Sequence, residues 1–191
     1  MNIVKIRITA ALAATTILLS ACGGGAEESA ADRFARTAEQ QAKTQTTAAA
    51  TPAPTATKIE PTAGERDIDK KPRIPKSSGA APKELKVEDV IVGDGAAAKS
   101  GDKVSVQYVG VLYDNNKQFD SSWDRGKKPF ELTLGAGQVI AGWDQGLIGM
   151  KEGGRRKLTI PPDQAYGAQG QPPTIPANAT LVFEIDLQKI G

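Results

Sequence analysis

The side chains able to do chemistry are few in kind. The 191 residues contain no histidine and a single cysteine, Cys22. That excludes a Ser-His-Asp triad, a Cys-His pair, a histidine base working near neutral pH and a histidine metal ligand. One Cys cannot form an internal disulfide or a thiolate zinc site. Carboxylates, Lys, Tyr and hydroxyls remain, together with chemistry that moves no proton at all. Asp120 stands directly before Ser121-Ser122, a setting in which an Asp often caps a turn. Of nine aromatic residues, eight lie between Tyr108 and Phe183, and only Phe34 lies outside. An ordered core therefore belongs to the C-terminal part, where about 105 residues suffice to bury one.

Charge follows a similar division. Residues 84–191 carry 12 Lys+Arg and 14 Asp+Glu, whereas the whole chain has a formal net charge of +2. The excess comes from Lys5 and Arg7, so the chain without its first 21 residues has 22 charges of each sign. A nucleic-acid surface needs a basic face that neutralises phosphates. The basic run Arg66 to Lys76 is interrupted by Asp67 and Asp69, which reads as a solvated segment and argues against a nucleic-acid partner.

Alternating apolar and polar residues predict the strands that must position these groups. Leu85 to Val92 reads as a strand ending in Gly93-Asp94-Gly95. Lys103 to Tyr113 alternates, with Val104, Val106 and Tyr108 on one face and Ser105 and Gln107 on the other. Phe130, Leu132 and Leu134 alternate with Glu131 and Thr133. Arg156 to Ile160 does the same, and the last run sets Leu181, Phe183, Ile185 and Leu187 against Glu184, Asp186 and Gln188. Two-residue periodicity predicts half-buried strands. Val139, Ile140, Trp143, Leu147 and Met150 recur at helical spacing. Gly142, Gly146 and Gly149 make that helix weak by propensity, so packing must hold it. The fold class is α+β, a twisted antiparallel sheet around one short α-helix.

Residues 1–21 read as an export signal. Lys5 and Arg7 precede an apolar stretch, Ile8 to Leu19, then Leu19-Ser20-Ala21. The apolar stretch is short for a membrane span of roughly 30 Å. Cys22 follows the small residues directly, which resembles a bacterial lipobox. The resemblance implies a diacylglycerol-modified Cys22 at the new N-terminus, because one acyl chain holds a membrane only marginally and two hold it stably. Position 23 is Gly rather than a retention-like Asp, which by analogy favours the outer membrane in a two-membrane cell. Residues 22–83 are rich in Ala, Thr, Gln, Ser and Pro and read as a disordered tether. Asp32 to Lys43 is a candidate docking or dimerising helix with a thin apolar face.

Several motifs in order then carry a family resemblance. They are Val106-Gln107-Tyr108-Val109-Gly110, Phe119-Asp120-Ser121-Ser122, Pro129-Phe130, Val139-Ile140-Ala141-Gly142-Trp143, Pro162-Asp163-Gln164-Ala165-Tyr166-Gly167, and Ile175-Pro176-Ala177-Asn178-Ala179-Thr180-Leu181-Val182-Phe183. Residues 84–191 resemble the FKBP-type, macrolide-binding peptidyl-prolyl cis-trans isomerases. The resemblance implies that family's fold and a proline pocket. Its catalytic positions would be Tyr108, Phe119, Asp120, Tyr166 and Phe183, with Arg125, Phe130, Val139, Ile140, Trp143 and Ile175 binding substrate. Trp143 would be the floor, Ile140 N–H and the Tyr166 hydroxyl would meet substrate carbonyls, and Asp120 with Tyr108 and Arg125 would form a polar wall. No cofactor and no metal is implied.

The implied partners are X–Pro polypeptides, macrolides such as tacrolimus or rapamycin, and a membrane reached through the lipid. The domain would work as a monomer, in the cell envelope, on exported proteins. The same fold used as a non-catalytic partner-binding module is the alternative, and a lipoprotein whose tether is its main feature is a third. Gln171 and Thr174 depart from residues common in the family, Lys127-Lys128 lengthens the stretch before Pro129, and Trp123 is either a surface residue covering the sheet or an apolar lip near the rim.

Overall fold

The alternating segments form strands, and their inward residues meet on one side of a single sheet. A computed structural model describes residues 54–60 and 67–191. The export signal, Cys22 and the candidate helix Asp32 to Lys43 lie outside the described residues. The strands are β1 (Thr57–Lys58), β2 (Lys86–Ile91), β3 (Lys103–Leu112), β4 (Gln118–Ser121), β5 (Phe130–Thr133), β6 (Arg155–Ile160) and β7 (Leu181–Ile190). Their order is β1-β2-β6-β7-β3-β4, with β5 also pairing β3. All pairings are antiparallel except β1 with β2. Strand β3 is the spine. Along one edge it pairs with β7; along the other, its first half meets β5 and its second half meets β4.

The one α-helix among the described residues, α1 (Ala141–Gly146), lies across the inner face. It is shorter than the apolar spacing from Val139 to Met150 suggests. Ile140 is extended at ψ 147°, and Gly149 has a φ of 76°, outside the helical range. The two helix glycines are needed for close approach. A Cβ on Gly146 would lie 2.7 Å from Leu158 Cδ2, and one on Gly142 would collide with Ile160 Cγ2. Arg156 closes the helix C-terminus by donating to the carbonyls of Gly146 (2.8 Å) and Ile148 (3.1 Å), while Asp89 holds its Nε at 2.6 Å. A cation there meets the negative end of the helix dipole. Trp143, fully buried, projects from α1 into the core with Val104, Val106, Tyr108, Leu158, Ile160, Phe183 and Ile185.

The outer face departs from the sequence reading. Glu184 and Asp186, expected to face water, are both buried. Asp186 is covered because part of the predicted tether is folded onto the sheet. Residues 54–60 and 67–83, which the composition places in the tether, touch the sheet and its outer face. Within these residues β1 adds to the sheet edge, and Ile59 N–H donates to the Asp89 carbonyl at 3.0 Å. Ile74, 5% exposed, packs in a second cluster with Val109, Val111, Trp123 and Val182. Arg155 pairs with Asp186 (Nε to Oδ1, 2.5 Å), and its Nη2 also donates to the carbonyls of Lys70 (2.9 Å) and Asp67 (3.2 Å). Tyr113 donates to the Ser78 carbonyl at 3.2 Å. Composition does not reveal this arm because a few apolar residues, Ala56, Pro72 and Ile74, and a set of backbone carbonyls suffice when the sheet supplies the other partners.

A chain starting at residue 84 loses Ile74 and the carbonyls that satisfy Arg155. The expected loss is about 2–4 kcal/mol, from about 1.5–3 kcal/mol of side-chain burial and about 1 kcal/mol of hydrogen bonding. Urea denaturation of residues 54–191 and 84–191 measures it; equal midpoints at equal slope would show that the arm contributes nothing.

Candidate active site

The polar wall is assembled by three neighbouring pieces of chain. Tyr108 points inward from β3. Asp120 comes from β4, where it sits opposite Gly110. Arg125 ends the 3-10 turn Trp123–Arg125 that follows β4 directly. The Tyr108 hydroxyl donates to Asp120 Oδ2 at 2.6 Å and accepts from Arg125 Nη2 at 2.7 Å. Arg125 Nη1 pairs with Asp120 Oδ1, which also accepts the Ser121 N–H at 2.8 Å. Arg125 Cζ lies 5.5 Å from the Tyr108 ring centre, so the guanidinium also meets the ring. Asp120 thus has three donors on it, more than a turn cap needs.

The aromatic residues meet edge to face. Trp143 lies with its ring centre 5.2 Å from Tyr108, 5.2 Å from Phe183 and 6.3 Å from Phe130. Phe119 stands at 5.4 Å from Phe183 at an interplanar angle of 89°. Such edge contacts place ring hydrogens against a neighbouring π face and fix orientation as well as position. Phe119 and Phe130 are only partly buried, whereas Tyr108, Trp143 and Phe183 are fully buried, so the first two mark the solvent side of the cluster.

The remaining predicted residues come from two loops. Val139 and Ile140 lead into α1, and both are buried. Asp144, in the first turn of α1, accepts the N–H groups of Gly135 (2.9 Å) and Gly137 (3.0 Å) and so ties that loop to the helix. Ile140 is the residue before the helix, its carbonyl accepting the Trp143 N–H at 2.9 Å, so its own N–H lies outside the helical ladder. Tyr166 and Ile175 are buried in the same core cluster. Gln171 and Ile175 exchange backbone hydrogen bonds at 2.8 and 2.9 Å, which leaves Pro172, Pro173 and Thr174 at an exposed tip.

Every predicted pocket residue therefore belongs to one contiguous cluster or its polar wall; Cys22 lies outside the described residues. Of its two readings, Trp123 takes the one that covers the sheet. It is 8% exposed and packs with Ile74 on the outer face, beneath the Lys127 ammonium, so it forms no lip at the rim. Three supporting residues escaped the sequence reading. Ser122 Oγ accepts the Tyr108 N–H at 2.9 Å and bonds Gln107, whose Nε2 donates to the Lys127 carbonyl at 2.6 Å. Gly110 has two rings pressed on it, since a Cβ there would lie 2.7 Å from Phe119 Cζ and 2.8 Å from Phe183 Cε1. A glycine inside a strand pattern was the available signal for such an approach.

Burial pushes the Tyr108 phenol well above its ordinary range, and the Asp120 charge adds to the effect. Burial does the same to Tyr166, again with Asp120 contributing. Both phenols are neutral hydrogen-bonding groups at physiological pH. Among the described residues, no group of three or more Cys, Asp or Glu is placed to hold a metal ion. The arrangement is an apolar, ring-lined site with neutral hydroxyls and one compensated ion pair. It can bind and shape a ligand without transferring a proton.

Comparison with known proteins bears on the same residues. A family model described as FKBP-type peptidyl-prolyl cis-trans isomerase matches residues 95–188. The chain is 50% identical over 118 residues to a probable FK506-binding protein of Corynebacterium glutamicum, a match covering 61% of this chain and 96% of that protein. It is 53% identical over 106 residues to the 39 kDa FK506-binding nuclear protein of Drosophila melanogaster, covering 56% of this chain but 29% of that longer protein. Among solved structures, the crystal structure of AtFKBP13 superposes with a TM-score of 0.53 at 38% identity, over 58% of this chain and 96% of the other. The fold is the FKBP-like one predicted from the motifs.

Two outcomes follow from the site's geometry. Gly110→Ala should displace Phe119 or Phe183 and cost about 1–3 kcal/mol, the usual range for overpacking a core; unchanged ring-proton chemical shifts and stability would contradict the close approach. Raised phenol pKa values mean that folding favours the neutral form. Their contribution to stability is fully present below about pH 10, the ordinary tyrosine value, and is lost as the pH rises above it. Tyrosinate absorbance followed through an alkaline titration should therefore lag for Tyr108 and Tyr166 until the domain unfolds.

Proposed function

Since the chain belongs to the FKBP-type peptidyl-prolyl cis-trans isomerase family, we propose that its domain catalyses X–Pro isomerisation in exported polypeptides while tethered to a bacterial envelope. The observation that carries the catalytic part is the Tyr108–Asp120–Arg125 group set beside the edge-to-face rings of Trp143, Tyr108 and Phe183.

The chemistry suits such a site. The X–Pro amide is held planar by resonance, with a rotational barrier near ~18–20 kcal/mol and uncatalysed exchange over roughly tens to hundreds of seconds. Resonance puts partial positive charge on nitrogen and negative charge on oxygen, and water stabilises that separation. Twisting about C–N removes it. Walls made by Phe119, Phe130, Val139, Trp143, Ile175 and Phe183 exclude water and so disfavour the planar form relative to the twisted one. The proline ring would rest on Trp143. Ile140 N–H and the Tyr166 hydroxyl would hold the flanking carbonyls, and contacts that fit the twisted amide better than the planar one lower the barrier. Each ~1.4 kcal/mol of that difference is a tenfold rate. Asp120 acts by fixing Tyr108 and Arg125, whose hydroxyl and guanidinium define one side of the pocket. No bond breaks and no proton moves.

Macrolides of the tacrolimus and rapamycin type would occupy the same apolar site, as the names of the relatives suggest for those proteins. Anchoring rests on the export-signal pattern and on Cys22 directly after it. Among the described residues no helix is long and apolar enough to cross a membrane. A lipid on Cys22 would hold the domain, as a monomer, on the outer membrane or at the periplasmic face of a two-membrane cell, or on the surface of a one-membrane cell.

A proline-containing peptide followed in an exchange assay should isomerise faster with the full chain, and rapamycin should abolish the effect. Phe119→Ala with Asp120→Ala should lower kcat/KM about tenfold or more. A wild-type rate equal to background would sink the isomerase reading and leave a binding module, in which the same double variant abolishes peptide capture. Separately, Cys22→Ser should release the protein from the membrane fraction and remove the acyl mass; an unchanged distribution and mass would end the anchoring proposal.

A further inference from the structure

The arm folded on the outer face and the polar wall of the pocket meet in one short element, the turn Trp123–Arg125. Its three side chains go three ways. Trp123 packs against Ile74 of the arm in the outer cluster. Asp124 takes the Lys71 ammonium on both carboxylate oxygens, at 2.7 and 2.8 Å, and Gln118 Nε2 at 2.7 Å. Arg125 reaches into the site to bond Asp120 and Tyr108. Within its own backbone the turn is held by one hydrogen bond, Arg125 N–H to the Ser122 carbonyl at 3.2 Å, and it ends at Gly126. Ser122 anchors its start, with its N–H donating to the Tyr108 carbonyl at 3.1 Å, and the placement of the rest depends on what its side chains grip. The arm is fixed nearby in turn, since Asn116 Nδ2 donates to the Ile74 carbonyl at 3.1 Å. Lys71 and Ile74 lie outside residues 95–188, the part matched by the family model.

We propose that Lys71 and Ile74 are positioning residues of the active site, acting through the turn to hold Arg125 against Asp120 and Tyr108. This rests on the isomerase reading above. The guanidinium side chain is 27% exposed while Asp120 is 6% exposed. If the turn loosens, Arg125 has water to move into, and the buried carboxylate is left with the Tyr108 hydroxyl and the Ser121 N–H. Tyr108 loses the donor on its oxygen at the same time, so its ring and hydroxyl are less firmly placed against the substrate. The effect belongs to kcat/KM and is transmitted entirely through Arg125.

The test is a set of full-chain variants assayed at a low temperature where circular dichroism shows each to be folded. Lys71→Ala should lower kcat/KM about twofold, in keeping with an exposed ion pair, and Lys71→Arg should restore it. Ile74→Ala should lower it about three- to tenfold, the size of a change along a packed coupling path. Neither substitution should lower the rate further once Arg125→Ala is present. Losses that multiply with Arg125→Ala would overturn the proposal, as would wild-type kcat/KM in both single variants. If Ile74→Ala does not fold, Lys71→Ala and its Arg rescue carry the test. The guanidinium N–H signals of Arg125 in NMR give a reading independent of activity: slow exchange in the wild type, fast exchange in Lys71→Ala. Should the wild type itself fail to accelerate isomerisation, the functional reading falls, and the NMR comparison still decides whether the arm positions Arg125.

Discussion

The indole of Trp143 reaches no water, and the sheet is arranged so that it need not. To place a bicyclic ring on the inner face, α1 must press its backbone onto the side chains of Ile160 and Leu158 on β6. That is why Gly142 and Gly146 stand where Ile160 and Leu158 approach. Two glycines in a six-residue helix cost about 1 kcal/mol each relative to alanine. Burial of Trp143 and the Arg156 cap on the helix end offset that cost. The same insertion brings Tyr108, Phe130 and Phe183 edge-on to one ring, so the packing that closes the core also builds the site's apolar wall.

Strand β3 works on both faces. Tyr108 faces the pocket, and its neighbour Val109 faces the outer cluster with Ile74 and Trp123. Alternation along a strand makes adjacent residues serve opposite layers. A domain of this kind has no spare polar face beneath the site: the outer layer is filled by the arm, by the Arg155–Asp186 pair and by Val182. Breaking a buried ion pair by removing one partner costs more than the pair contributes when intact. The arm's carbonyls on Arg155 are therefore part of what makes that pair tolerable.

A chain with no histidine accomplishes its chemistry by shape and exclusion of water. The hydroxyls that line the site are kept neutral by burial, and the single carboxylate is compensated by three donors. Such a site gains nothing from a group that titrates near pH 7. Its demands are geometric, and they fall on rings, glycines and a turn.

The inner strands were legible in the sequence because alternation is a local signal, whereas the pocket residues were named through the family resemblance of their motifs. Residues two apart on β3 and β7 share a face, and the pocket residues sit inside short motifs whose spacing is kept along the chain. Alternation also placed Glu184 and Asp186 on the outer side correctly, but it could not say what lies over them. The sequence by itself determined which residues alternate inward and that no histidine or disulfide chemistry is available. Only the tertiary structure decided that the arm closes the outer face and that Trp123 joins it. It also decided that Lys71 grips the same turn from which Arg125 reaches Asp120 and Tyr108. Those contacts join residues about fifty positions apart through single side chains and backbone carbonyls. No period or composition records such a contact, and it exists only once the sheet has brought both ends together.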